Sequence, residues 1–192
     1  EAAGTPHVSV VDCDGNLLAI TSTVGAAFGS RLWAAGFLLN NELTDFDFGS
    51  ASHPNKVEGG KRPRSSMSPT IVLEDGEPLL AVGSPGGSMI ITTVLQILLD
   101  RLDLGASLPE AIAAPRASQR NTATTVAEPA FVSSPLGQQL ASQYSQPFST
   151  TAEVGAMDAC VIRGEWPAYA CGGPRRSASG TNGASDRCGS AL

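Results

Sequence analysis

One pattern occurs twice in this 192-residue chain: a run rich in apolar and β-branched residues, an Asp-Gly turn, then a second such run. The first copy is "HVSVVDCDGNLLAITSTV" (residues 7–24), and the second is "TIVLEDGEPLLAVG" (residues 70–83). Asp-Gly between strand-like segments favours the tight turns that join antiparallel strands, so both copies read as β-hairpins and together as a sheet of at least four strands. Directly after the second copy, "SMIITTVLQILLDRLDLG" is apolar on nearly every side, which marks a helix buried against that sheet with Gly105 as its stop. Ser107 and Glu110 then have the spacing of a capping box for a short helix that Pro115 ends. Hairpins first and helices afterwards imply an α+β chain with antiparallel sheets.

Between the hairpins, "RLWAAGFLLNNELTDF" reads as a short buried segment that ends in a polar cluster and an acidic loop. The stretch that follows, "DFDFGSASHPNKVEGGKRPRSSMSP", has turn formers and no periodicity, and a loop so long is usually functional or disordered. Beyond Arg116, "AEPAF", "SSPLGQQLASQYSQ" and "GAMDACVIRGEWPAYACGG" suggest a short strand, a helix and a last hairpin. From about Arg175 the chain is Gly- and Ser-rich with almost nothing apolar, and residues 177–192 read as a disordered tail. Beyond this shared hairpin pattern no internal repeat is present.

An apolar share of 42% suits one substantial globular unit, while a net charge of -6 with scattered Lys and Arg argues against nucleic acid as a partner. No apolar run approaches the roughly 18 residues of a membrane span, and the front end lacks the pattern of a secretion signal. The chain therefore reads as soluble and without an address. Cys13, Cys160, Cys171 and Cys188 lack the close spacing of a zinc site and read as structural or incidental. In an oxidising compartment one pair of them would be a disulfide, but the spacing does not say which. His7, on the first strand, reads as a packed or hydrogen-bonded histidine, and with His53 so distant in sequence it makes a weak metal site. No cofactor is implied.

Four places carry candidate chemistry. Thr5 stands between Gly4 and Pro6 at the mouth of the first strand, where proline biases it toward extended backbone. In "GSPGGSMII", Gly86 and Gly87 open a helix, so their amides are placed to hold an anion; the local alternative is a turn that needs glycine for its backbone angles. Ser65 and Ser66 close the long loop as turn-capping or ligand-binding hydroxyls. Glu42 and Asp45 form either a surface cluster or an ammonium site.

Taken together, "TPHVSVVDCDGN", "LLNNELTDF", "KRPRSSMSPTIV" and "GSPGGSMIITTVLQ" resemble, in order and spacing, the small subunit of gamma-glutamyltranspeptidase, an N-terminal-nucleophile hydrolase. The match runs from Thr5 to about Arg116, with a weaker echo in "GPRRS". The resemblance implies half of a four-layer αββα sandwich over residues 5–176, completed by a large subunit cut from the same precursor. It implies autocleavage between Gly4 and Thr5, which frees the threonine α-amine to act as base for its own hydroxyl. With an ordinary α-amine pKa of about 7.7–8.0, part of that amine is unprotonated near neutral pH. Residues 1–4 would precede the cut, and an uncut chain would have no such amine.

By the same resemblance, Thr23 on the second strand orients the nucleophile and Gly86 and Gly87 form the oxyanion hole. Glu42 and Asp45 bind the substrate's α-ammonium, and Ser65 and Ser66 bind its α-carboxylate. The implied reaction moves a γ-glutamyl group from glutathione or a similar amide to water, an amino acid or a peptide. Family members are often exported, periplasmic or cell-surface proteins. Two departures stand out: Gly25 replaces an Asn common in the family, and Pro6 removes a backbone donor beside the nucleophile. Gly25 keeps open a related acylase acting on another acyl group, and the four residues before Thr5 keep open a processing-defective binding subunit.

Overall fold

The computed structural model describes residues 5–12, 14–155, 158–162 and 169–172. Both expected hairpins are present. Strands β1 (His7–Val11) and β2 (Leu17–Thr21) pair antiparallel with His7 opposite Thr21. The turn between them is wound around the Asp12 carboxylate, which accepts the backbone N–H groups of Asp14 and Asn16 and the Asn16 side-chain amide. The Asn16 side-chain bond, then the backbone bonds, hold that carboxyl below its ordinary pKa. After a small hairpin of β3 (Trp33–Ala34) and β4 (Phe37–Leu38), a 3-10 turn spans Glu42–Asp45. The second large hairpin pairs β5 (Thr70–Glu74) with β6 (Glu77–Gly83) through Asp75 and Gly76, both at positive φ as a hairpin turn of this kind requires.

The hairpins do not share a sheet, contrary to the sequence reading. β5 and β6 belong to a four-stranded sheet ordered β11-β10-β6-β5, completed by the C-terminal hairpin β10 (Asp158–Ile162) and β11 (Tyr169–Gly172). Among the described residues β1 and β2 pair only with each other, and they lie against β6 and β10. The physical reason is in β6, where Leu80, Ala81 and Val82 are all fully buried, so both of its faces are covered. Leu80 and Val82 join the core with the helices, whereas a Cβ built on Gly83 would strike the His7 ring at 2.1 Å, which puts the opposite face of β6 directly under β1. His7 is buried and bonded to Thr21 Oγ1 and Ser9 Oγ, the packed histidine expected of it.

Helix α1 (Ile90–Leu98) runs on into a wide π turn over Leu99–Asp103, and Gly105 at φ 72° ends it. It buries Ile90, Val94 and Ile97 against β6, but Ile91 and Leu95 on its other side are half exposed. The all-round apolar pattern therefore corresponds to two faces, of which the described residues cover one. Helix α2 (Leu108–Ala113) starts on the expected box: Glu110 N–H donates to Ser107 Oγ and the Glu110 carboxylate accepts from Ser107 N–H.

Past Arg116 the expected helix is α4 (Pro135–Gln143), but "AEPAF" is corrected as a strand: β8 (Thr125–Ala127) ends at its first residue, and from Pro129, a residue suited to a helix start, it belongs to the one-turn helix α3 (Pro129–Val132). The sequence reading lacks β7 (Ala117–Ser118) and β9 (Phe148–Thr150), which flank β8 antiparallel and parallel respectively. The segment from Arg31 to Phe46 corrects the reading as buried: Leu32, Trp33 and Phe37 are all more than half exposed, because only two residue pairs of hairpin form there and no layer lies over them. The long loop is held by short-range bonds, with Asp47 accepting the N–H groups of Gly49 and Ser50. Cys160 stands opposite Cys171 in the β10–β11 register. The expected tail, Cys13 and Cys188 lie outside the described residues.

Candidate active site

Thr5 lies just ahead of β1, and its hydroxyl donates to Thr23 Oγ1 at 3.0 Å. β2 ends at Thr21, so Thr23 sits two residues beyond the strand rather than on it. What fixes it there is Ser22 N–H donating to Pro6 C=O, together with Gly25 N–H donating to Thr23 Oγ1. Thr23 thus accepts from both sides and is aimed by its own turn. Gly25 takes φ 84°, and any Cβ on it would lie 2.0 Å from Asn41 Oδ1, which accepts the Ala26 N–H. Only a residue without a side chain fits beside Asn41 in this arrangement.

Gly86 and Gly87 form the turn between β6 and α1, with φ of 130° and 56°, and Gly86 C=O accepts the Met89 N–H. Backbone angles of this kind belong to glycine, as the turn reading requires. Across the opening stands the 3-10 turn with Glu42 and Asp45. Glu42 Oε2 is buried with no hydrogen-bond partner among the described residues. Its carboxyl is pushed above the ordinary range, first by loss of water and second by the nearby Asp45 charge. An acidic pair in that condition is matched by a cation placed between its members.

Ser65 and Ser66 end the long loop; Ser65 Oγ accepts from Met67 N–H and Ser66 C=O accepts from the Ser68 hydroxyl. Asn55 joins this loop to the acidic turn, donating through Nδ2 to Asp45 C=O at 2.7 Å and accepting Arg64 N–H at 3.0 Å. All the residues singled out in the sequence, Thr5, Thr23, Glu42, Asp45, Ser65, Ser66, Gly86 and Gly87, line a single cavity of about 710 Å³. The same walls include Asn41, Arg64, Thr151, Ala152, Glu153 and Gly155, which sequence reasoning passed over. Arg64 was within reach of that reasoning, since it adjoins the two serines. The 151–155 segment was not, because it arrives by a fold-back from the far end of the chain. Among the described residues there is no cluster of ligands for a metal ion and no helix long and apolar enough to cross a membrane.

A hydroxyl held by a second hydroxyl shares this cavity with a glycine turn at a helix start and a carboxylate pair, groups whose chemistry can serve attack on an acyl carbon beside a cation. The family model for gamma-glutamyltranspeptidase matches residues 1–182. The glutathione hydrolase proenzyme of Pseudomonas sp. (strain A14) is 39% identical over 160 residues, covering 78% of this chain and 28% of that protein. That of Escherichia coli (strain K12) is 47% identical over 127 residues, covering 60% and 22%. A solved chain of a Helicobacter pylori gamma-glutamyltranspeptidase mutant superposes with a TM-score of 0.75 at 35% identity, covering 87% of this chain and 96% of that one. The chain thus spans about a quarter of the length of these curated relatives.

Proposed function

Because this chain belongs to the gamma-glutamyltranspeptidase family, we propose that it is the nucleophile-bearing part of an enzyme that hydrolyses or transfers γ-glutamyl amides such as glutathione. Thr5 is first made competent by self-cleavage: its Oγ attacks the Gly4 carbonyl, the peptide bond shifts to an ester, and water releases the Gly4 carboxylate and the Thr5 α-amine. In turnover that amine takes the Oγ proton as Oγ attacks the substrate's γ-carbonyl. The oxygen that becomes negative is met by the Gly86 and Gly87 amides, an interaction of the kind whose loss raises a barrier by about 2.7–4 kcal/mol per donor. The leaving amine takes the proton, a γ-glutamyl ester remains on Thr5, and water or an acceptor amine resolves it.

The head group supports this assignment. Glu42 and Asp45 present negative charge to an α-ammonium, while Ser65 and Ser66 offer donors to an α-carboxylate, and Thr23 orients the Thr5 hydroxyl. The observation that carries the proposal is the Thr5–Thr23 hydrogen bond in the same cavity as the glycine turn and the acidic pair. The remaining length of the precursor would supply a large subunit that covers the outer faces of β1–β2 and α1 and completes a four-layer αββα sandwich. Glutathione hydrolase relatives described as proenzymes support that division.

Turnover of γ-glutamyl-p-nitroanilide by the complete, processed protein tests the reading, with Thr5→Ala expected to abolish both maturation and release of p-nitroaniline. Survival of both in that variant would overturn it. Gly25 favours a second reading, an acylase for a different acyl group, because position 25 itself carries no side chain to contact a head group. Preference for a glutaryl over a γ-glutamyl anilide would select it. Retention of residues 1–4 by every molecule, seen on N-terminal sequencing, would instead select a non-catalytic binding subunit.

A further inference from the structure

Behind one wall of the cavity lies a buried ion pair to which the proposed reaction gives no role. Arg116 and Glu128 are 2% and 4% exposed, with Nε and Oε1 4.0 Å apart. They flank the β7–β8 pair, and Glu128 N–H donates to Arg116 C=O. Arg116 Nε donates to Val154 C=O at 2.8 Å, Nη2 to Gly155 C=O at 3.2 Å, and Nη1 to Ile112 C=O at the end of α2. Glu128 Oε1 accepts the Val154 N–H at 3.0 Å. Asp100 also feels the Arg116 charge, which draws its carboxyl down against the larger upward push of burial. A buried pair is weak support for stability, since apolar residues fill such space as well. What the guanidinium fork adds is direction, here onto consecutive backbone carbonyls.

The segment so gripped abuts the glycine turn. Gly155 has φ 65°, and a Cβ on it would fall 2.5 Å from Thr93 Oγ1 and 3.0 Å from Ser84 Oγ. A Cβ on Gly86 would fall 3.3 Å from Gly155 Cα. Gly155 is therefore wedged among Ser84, Gly86 and Thr93, and it lines the cavity beside Gly86 and Gly87. We propose that Arg116, braced by Glu128, is a positioning residue: by holding Val154–Gly155 as a backstop it keeps the Gly86–Gly87 amides aimed into the cavity. This rests on the reading of those amides as the oxyanion site. Donors of that kind act because they are already in place when charge develops, so a backstop that loosens would slow the chemistry and spare ground-state binding.

The test uses the complete two-subunit protein and the variant Arg116→Lys, which keeps the charge beside Glu128 and loses the fork. With γ-glutamyl-p-nitroanilide, kcat is expected to fall about tenfold or more while inhibition by L-glutamate stays within about twofold. Amide hydrogen exchange is expected to quicken in residues 84–89. Equal loss in kcat and glutamate affinity, or unchanged exchange at 84–89, would overturn the proposal. Gly155→Ala is a second route should the lysine variant not fold. It is expected to lower kcat, and Thr93→Ala in the same chain to restore much of it by removing the atoms the new methyl meets. An alanine at 155 without effect on kcat, or unrelieved by Thr93→Ala, would also overturn it. A parent protein that fails to turn over the anilide sinks the proposed function, and the exchange measurement then decides the backstop alone.

Discussion

Glu42, whose Oε2 is buried with no hydrogen-bond partner among the described residues, is expected to govern how the cavity responds to pH. Its folded pKa lies above its unfolded one, so its contribution to stability is fully present below the unfolded value and is lost as pH rises through the folded value. Glu42→Gln is accordingly expected to raise the melting temperature at neutral pH, with the gain shrinking toward acid, as thermal melts across pH would report. Ammonium binding has the opposite sign, because it needs the ionised carboxylate. KM for a γ-glutamyl anilide is expected to climb as pH falls through the raised pKa, and the glutamine variant to show a high KM without that climb. Gly25→Ala places a methyl against Asn41 in left-handed backbone and is expected to cost about 1–2 kcal/mol in denaturant unfolding. The site residues legible in sequence were those in short motifs, such as Thr5 and the glycine pair. Asn41, Asn55 and Gly155 were not, because each matters through a partner distant in the chain.

At the level of elements, local chemistry was the readable part. The Asp-Gly turns located both hairpins, and the serine–glutamate spacing located α2, because those signals act over a few residues. Which sheet each hairpin joins was not readable, since apolar alternation is satisfied by either assignment, and the short β7 and β9 have too few residues to carry any period. α4 has a capping serine of the same local kind: Ser134 Oγ accepts the Gly137 N–H. Ser134→Ala is expected to destabilise the fold by about 1 kcal/mol in denaturant unfolding, leaving KM alone. Asn55→Ala should behave in reverse. Cutting the tie between the acidic turn and the serine loop is expected to raise KM severalfold with kcat nearly unchanged.

For the molecule as a whole, the informative surface is apolar. Val8, Val10, Leu18 and Ile20 share the outer face of β1–β2 and are each 43–50% exposed, and Ile91 and Leu95 repeat this on α1. Faces of this sort are commonly covered by a partner, and covering them is the role proposed above for a large subunit. Ile20→Lys in the complete precursor is expected to reduce co-purification of the two parts while this chain's own hairpin persists. Equal recovery on size exclusion would count against that covering.

The His7 ring lies on Gly83; His7 is two residues from Thr5, and Gly83 is three from Gly86 at the start of the glycine turn. Thr5 and the glycine turn, the proposed attacker and charge acceptor, are thereby yoked across a gap in which not even a methyl fits. A bulkier residue at 83, or a thicker ring at 7, is expected to prise the two apart at once.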